Sequence, residues 1–543
     1  MIPGDNGDAY ANLWTFWYLP YALTHGLSPW FSNMQLMPYG VDLIYHTNCY
    51  LPMLLTWPVK AFLGIGAAYN TSVLLAISLT GFFFYIFCRE NGCSAAGAII
   101  GGFAVAFSPF TFAHLPGHLS MLQMHFVILA LLFLARILRA KELQIWNAIG
   151  LGTAVWAVAV TDLTLLVTLV CLSLVVLIAA FVELDILWKP VARNIGIGAA
   201  ASVVLVLPWA RALVLALKNH DYSRVFSNTA PEKRFYCSFN DLFVPPIFHG
   251  FWGKTFHPNA SVSSLLYSEA GGYLGTVCLA LVAGAIWLRG SRAVWTWTCA
   301  GALFVSFAFG VSFANRVYSL WTLVLPPNFG VGLPLLDQVR VPARFTLPAH
   351  ACIAFVCAQG FDAVSSLVNQ VQRLGVWVGS VALLVLDFFF APIPVCTSKP
   401  SEHYQHASLK GEGSILELPL WLRSGPGPMM RPFAPQQLLD QSVHEKPLLS
   451  TYVSRIPKDV ARKVLSEPVL RHIYALQRGS PTNAAPDARQ VSAFLKNADV
   501  RWIVVPPEMR SRTALLAFLQ KTVPLGKPQR IENADFYEVA KQP

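Results

Sequence analysis

Ten long apolar runs, separated by shorter polar stretches, make up the middle of the chain. They lie at about residues 68–88, 96–114, 119–139, 146–162, 163–183, 193–216, 273–289, 292–310, 344–364 and 375–394. A lipid-crossing helix needs ~17–25 mostly apolar residues, so the pattern predicts a polytopic α-helical membrane protein of about ten spans. Asp162 separates the fourth and fifth runs, which read as two spans or as one bent hairpin. Residues 51–66 are too short and too Pro-broken to span, and read as a helix lying in the interface. Residues 10–24, with Trp14, Trp17, Tyr18 and Tyr21, look similar, because aromatic rings with polar handles favour the headgroup level.

Charges in the short connections give an orientation. Arg89, then Arg136, Arg139 and Lys141, then Lys189 and Arg193, then Arg289 and Arg292, then Arg373 fall at alternate ends of the runs. By the positive-inside rule these ends are cytoplasmic. Residues 1–66, 218–272, 311–343 and the tail from about 395 are then extracytoplasmic. An even number of spans with both ends outside leaves Met1 outside with no signal sequence, and a further span upstream of Met1 is the expected way to resolve this. The expected layout is an acidic outer loop with interfacial helices over 1–66, a transmembrane helical domain over 67–395, and an extracytoplasmic domain over 396–543.

The pattern changes near residue 396, where charged residues become common. Ser414–Leu420 and Arg501–Pro506 read as buried strands and Phe536–Val539 as a short third. Pro457–Leu465 and Ala488–Lys496 have helical spacing. Together they predict a small α/β module.

Composition supports lipid as the solvent. Of the 543 residues, 55% are hydrophobic and 12% charged, against about 25% charged in soluble domains. Mean hydropathy is +0.51. The net charge of +11 lies between apolar runs and in the tail, a pattern that suits anionic lipid and does not suit nucleic acid. The ten cysteines form no CxxC pair and no His/Cys ligand spacing, so no zinc site is expected from them. Cys49 and Cys237 fall in polar outer loops, where a disulfide between them is open.

The sharpest chemical signal is Gly4-Asp5-Asn6-Gly7-Asp8-Ala9-Tyr10. Two carboxylates three residues apart beside an aromatic helix have two chemical uses. One can act as general base on an incoming hydroxyl. The pair can also hold a hard divalent cation, Mg or Mn, against a phosphate leaving group. The plainer alternative is a helix cap at Asp8. Arg340 and Arg344 flank a proline at the start of an outer-face span, where guanidinium groups can clamp a lipid phosphate or simply anchor a helix end. Lys233 and Arg234 carry the same two readings. His46, His114 and His118 lie on the outer side; Pro116 and Gly117 break any helical i,i+4 metal pair between the last two. Glu269 precedes a helix start and reads as an acceptor ligand or a cap. Asp162 is costly in lipid and is expected to face a polar cavity; Asp387 is the other acid within a run. No GxxxxGK[ST] or GxSxG is present, and no dinucleotide fingerprint follows a strand.

Taken in order, GDNGDAYANLW, SPWFSNMQLMPYG with His46, SPF…GH (Ser108–Phe110, Gly117-His118), EAGGYLG (Glu269–Gly275), VRVPARF (Val339–Phe345) and ELPL…STYVSR (Glu417–Leu420, Ser450–Arg455) resemble the C-type glycosyltransferases. These are polytopic enzymes that use lipid-phosphate-linked sugars, and the likeness is to a bacterial subgroup with a C-terminal extracytoplasmic α/β domain. The resemblance implies an inverting transfer at the outer face of the plasma membrane. The sugar would pass from a polyprenyl-phosphate donor to a glycan, lipid or protein acceptor. Asp5 or Asp8 would be the base or a metal ligand, and Arg340, Arg344, His46, His118, Glu269 and Asp162 would bind the donor phosphate or substrate. Two other classes fit the membrane architecture. A flippase for lipid-linked glycans needs a charged path, and Asp162 and Asp387 are few charges for one. A non-catalytic envelope assembly protein would make the acidic pair structural.

Overall fold

Every one of the ten apolar runs contains helix in the computed structural model. The structure describes residues 1–4, 7–46, 48–222, 237–258, 271–309, 341–407, 409–424, 427–430, 434–480, 485–506, 509, 511–532 and 534–540. In chain order the bundle helices are α1 (Asp8–Thr24), α2 (Tyr50–Leu55), α3 (Trp57–Leu63), α4 (Ile65–Glu90), α5 (Ala95–Ala106), α6 (Pro109–His114), α7 (Met124–Leu138), α8 (Ile145–Thr161), α9 (Leu163–Glu183) and α10 (Trp188–Asn219). They continue with α11 (Thr276–Leu288), α12 (Arg292–Ala308), α13 (Thr346–Ser365) and α14 (Gln370–Asp387). Among the described residues, five helical segments are long and apolar enough to cross a membrane: Ile65–Glu90, Ala95–His114, Leu163–Glu183, Trp188–Asn219 and Pro342–Ser365. Met124–Leu138, Ile145–Thr161 and Thr276–Leu288 are apolar but shorter.

Without a hydrophobic drive between helices in lipid, small residues bring backbones into contact. A Cβ on Gly152 of α8 would collide with the Gly198 carbonyl of α10, and one on Gly360 of α13 with the Leu281 carbonyl of α11. Bulkier residues there would force these helices apart.

Two expectations are corrected here. The third run was expected to be helical from residue 119, but α7 begins at Met124. Residues 118–123 form turns instead, tied by the Gln123 amide to the Leu119 carbonyl (3.0 Å) and by the Ser120 hydroxyl to Asp162 (2.7 Å). No disulfide joins Cys49 to Cys237, and the Cys49 thiol donates to Asn12 Oδ1 at 3.3 Å. The fourth and fifth runs form two helices that meet at one extended residue, Asp162 (φ −160°, ψ 131°).

The tail carries β5 (Ser414–Glu417), β9 (Val500–Val505), β10 (Gln529–Ile531) and β11 (Ala534–Glu538), in the order β10-β11-β9-β5. The three strands expected from sequence are β5, β9 and β11. β5 and β9 run parallel, with Glu417 opposite Val504; the other pairs are antiparallel. A second sheet has the order β7-β6-β8, from β6 (Leu422–Ser424), β7 (Gly427–Met430) and β8 (Thr451–Val453). Helices α15 (Glu402–His406), α16 (Gln436–His444), α17 (Lys458–Ser466), α18 (Pro468–Gln477), α19 (Ala488–Asn497) and α20 (Arg512–Thr522) surround the sheets. The two helices expected near 457–465 and 488–496 are α17 and α19.

Helix α1 does not lie as an interfacial helix with open aromatic faces. Trp14, Trp17 and Tyr18 are buried in one apolar core with Leu418, Trp421 and Leu438 of the tail. Trp14 stacks on Tyr18 (4.5 Å) and its indole N–H donates to Gln441 Oε1 of α16 at 2.6 Å. Aromatic side chains bury a large area, and here the tail core provides the cover. At the amino end, β1 (Ile2–Pro3) pairs with β4 (Val395–Cys396), where the bundle meets the tail. The first residues and the tail therefore form one packed unit, and this arrangement sets the position of Asp8.

Candidate active site

Asp8 is the first residue of α1, yet it does not cap it. The cap position is Gly7, and no side chain makes a capping hydrogen bond there. The carboxylate turns outward instead. Its Oδ2 accepts from His118 Nε2 at 3.1 Å, and its Oδ1 lies 3.7 Å from Arg423 Nη2. The three side chains are 27%, 18% and 18% exposed, so the cluster is partly buried yet reachable. Burial alone would raise the Asp8 carboxyl. The His118 hydrogen bond and charge, then the charges of Arg423 and Arg344, overcome burial and hold it below its ordinary value. The side chain is thus an ionised base at neutral pH.

Each partner is delivered by a different element. One turn along α1 from Asp8, the Asn12 amide donates to the Gly117 carbonyl at 2.8 Å, which fixes the turn that carries His118. Asp162 supports the same turn by accepting from the Ser120 hydroxyl. Arg423 sits on β6 directly opposite Tyr452 of the parallel strand β8. Residues in register share a face, so the guanidinium lies over the Tyr452 ring at 4.5 Å. Arg344 belongs to a short 3₁₀ turn, Pro342–Phe345, which leads into α13.

His46 joins from the first loop. It is buried, its Nδ1 accepts from the Ser454 backbone N–H at 3.3 Å, and the Asp8 charge reaches it. Burial pulls its pKa down to about 4, so the ring is neutral. With Nδ1 accepting, the proton sits on Nε2, which is buried and has no hydrogen-bond partner. The STYVSR segment is the belt behind this arrangement. Thr451 and Tyr452 bind Gln35 Oε1 at 2.8 and 3.0 Å, Ser454 binds His46, and Arg455 lies 5.2 Å over Tyr45.

A divalent cation at the acidic motif would meet one carboxylate, one imidazole and two guanidinium charges among the described residues. Hard cations need several oxygen ligands, and Asp8 is the carboxylate that the described residues supply there. Asp5 lies outside the described residues.

Residues 16–391 match the family model described as Domain of unknown function (DUF6311). The chain belongs to this family. The match leaves Asp8 and the Arg423 strand on either side of it, so the candidate site joins the DUF6311 region to its flanks. No curated protein matches the chain. Among solved structures it is similar to the arabinofuranosyltransferase AftD from Mycobacteria, at 14% identity and a TM-score of 0.56, over 100% of this chain and 40% of that one. It is also similar to the Archaeoglobus fulgidus oligosaccharyltransferase in the apo form (11% identity, TM-score 0.49, 99% of this chain and 71% of that one). A third is ArnT from Cupriavidus metallidurans bound to undecaprenyl phosphate (14% identity, TM-score 0.47, 100% of this chain and 94% of that one). The likeness to AftD shows that this DUF6311 chain shares its fold.

The other expected site residues divide into two groups. Arg340, Glu269, Lys233 and Arg234 lie outside the described residues. Asp162 is buried: its Oδ1 accepts from the Thr164 N–H at 2.7 Å as the cap of α9, and its Oδ2 from Ser120. Its role is to hold the His118 turn. His114 is buried with its ring stacked on Phe110 at 3.9 Å. Asp387 accepts from the Tyr273 hydroxyl (2.6 Å) and the Val277 N–H (2.9 Å) at the start of α11. The sequence reading missed Arg423, Asn12 and Ser120. An arginine closing the apolar stretch ELPLWLR was the one visible signal for Arg423.

Proposed function

We propose that this DUF6311 protein is a membrane glycosyltransferase. In this reading it moves a sugar from a polyprenyl-phosphate donor to a glycan, lipid or protein acceptor at the extracytoplasmic face of the plasma membrane. The supporting observation is the meeting of Asp8, His118, Arg423 and Arg344. In the proposed step the acceptor hydroxyl oxygen attacks the anomeric carbon from the face opposite the phosphate. Asp8 takes the hydroxyl proton. The bond from the anomeric carbon to the phosphate oxygen breaks, and polyprenyl phosphate leaves carrying the electron pair. Arg423 and Arg344 receive the developing phosphate charge, and the His46 Nε2–H offers a further donor. His118 orients Asp8 and keeps it ionised. Inversion at the sugar follows from the single displacement. Arginines supply the positive charge, so no step is routed through Mg or Mn.

The orientation and the ten-span layout belong to this proposal and rest on the alternating Arg and Lys clusters. Arg89, Arg136 and Arg139 sit at bundle ends away from Asp8 along their helices. The test is sugar transfer from a radiolabelled polyprenyl-phosphate sugar in isolated membranes, with Asp8→Asn beside wild type at equal, folded protein. Transfer by wild type and its loss in Asp8→Asn supports the proposal. Equal transfer by both, or none by wild type across the common polyprenyl-phosphate sugars, contradicts it.

A further inference from the structure

Asp440 and Glu417 lie in the core of the tail, 2% and 7% exposed. Among the described residues neither forms an ion pair with Lys or Arg. His403 is beside them, and one ligand atom from each of the three side chains lies within 4.8 Å of the others. They come from three elements: His403 from α15, Glu417 from the end of β5, and Asp440 from α16. Glu417 Oε2 is buried without a hydrogen-bond partner of good geometry, although the Tyr404 hydroxyl is close by and is likewise unsatisfied.

We propose that His403, Glu417 and Asp440 bind one divalent transition-metal ion of the zinc class. One imidazole and two carboxylates are a ligand set that Zn²⁺ accepts, at ~2.0–2.2 Å per bond. The ion supplies a partner for Glu417 Oε2. A second layer is already in place. The Ser401 N–H and hydroxyl donate to the two Asp440 oxygens at 2.6 and 2.8 Å, which orients Asp440 and at the same time starts the helix that carries His403. Cysteine and histidine spacing gave no hint, because no cysteine takes part and the ligands are far apart in the chain. The site is separate from the Asp8 cluster. Glu417 leads through Leu418–Trp421 into β6, so the ion braces the strand that presents Arg423.

The test uses the full-length protein, purified in detergent with its affinity tag removed. Elemental analysis counts bound metal, and a zinc titration of the chelator-treated protein against a chromophoric competitor measures affinity. Wild type and Asp8→Asn are expected to hold about one equivalent and to rebind one zinc. His403→Ala and Glu417→Gln are expected to lose it. Ser401→Ala keeps all three ligands and is expected to bind ~10–100-fold more weakly, as losses in a supporting shell do. Should a ligand variant fail to fold, the wild-type titration and Ser401→Ala still decide. Absence of a zinc equivalent in folded wild type, or full retention in His403→Ala, overturns the proposal. Loss in Asp8→Asn would place the metal at the acidic motif instead. Because none of these readouts is sugar transfer, the metal site and the transferase reading fail independently.

Discussion

Asp8 and the Glu417–Asp440 pair are the same chemistry in opposite surroundings. Asp8 is partly exposed, and His118, Arg423 and Arg344 hold it below its ordinary value against burial. Burial instead pushes Glu417 well up and Asp440 to about 6, with the Asp440 charge adding to the rise at Glu417. Exposure separates the two sites, and so do the side chains that surround each carboxylate. A reacting carboxylate needs access and a standing charge, and the first site has both. A buried pair beside an imidazole suits a metal ion better than a substrate.

The largest expected effect comes from removing the charge at the first site. Asp8→Asn is expected to lower sugar transfer in membranes by ~10²–10⁴-fold, the usual range for a general base, with expression and insertion unchanged. Equal activity would remove the functional side of the contrast. Arg423→Ala comes next, with ~10²–10³-fold lower turnover if the guanidinium stabilises the leaving phosphate. Arg423→Lys should recover part of this, because charge returns without the planar fork.

His118→Gln sharpens the comparison through pH. Without the imidazole, burial acts on Asp8 against the two arginines alone, so its pKa rises. The acidic limb of the rate profile should move to higher pH in the variant, while the plateau at neutral pH changes little. The sign can also be read in stability. A carboxylate held below 3.8 stabilises the fold above that value and loses its contribution as pH falls through the lowered one. Acid unfolding of His118→Gln should therefore depend less on this group. The smallest effect is expected from Arg136→Gln. Its guanidinium pairs with Glu90 at 2.6 Å, but both side chains are about one-third exposed. Such a pair contributes ~0.2–1 kcal/mol, and thermal unfolding should barely move.

The helices were legible because long apolar runs have few alternatives to a buried or lipid-facing helix. The strands of the tail were legible for a related reason, as short apolar β-branched segments between turn residues. Asp8 was visible through its motif, and the cap position of α1 falls on Gly7 beside it. Arg423 was not visible as a site residue. It meets Asp8 only because α1 packs into the tail core through Trp14, Trp17 and Tyr18, and because β6 and β8 pair in the register that sets Arg423 over Tyr452. Neither long-range pairing is written in local periodicity. The misreading of α1 has the same origin: an aromatic helix looks alike whether lipid headgroups or another domain cover it.

The most direct measurement is a structure of the wild-type protein with an undecaprenyl-phosphate sugar analogue bound. The account predicts the phosphate against the guanidinium groups of Arg423 and Arg344, with the anomeric carbon on the side of Asp8 and the prenyl chain running toward the apolar helices. A phosphate bound away from both arginines, with Asp8 still engaged only by His118 and Arg423, would contradict it.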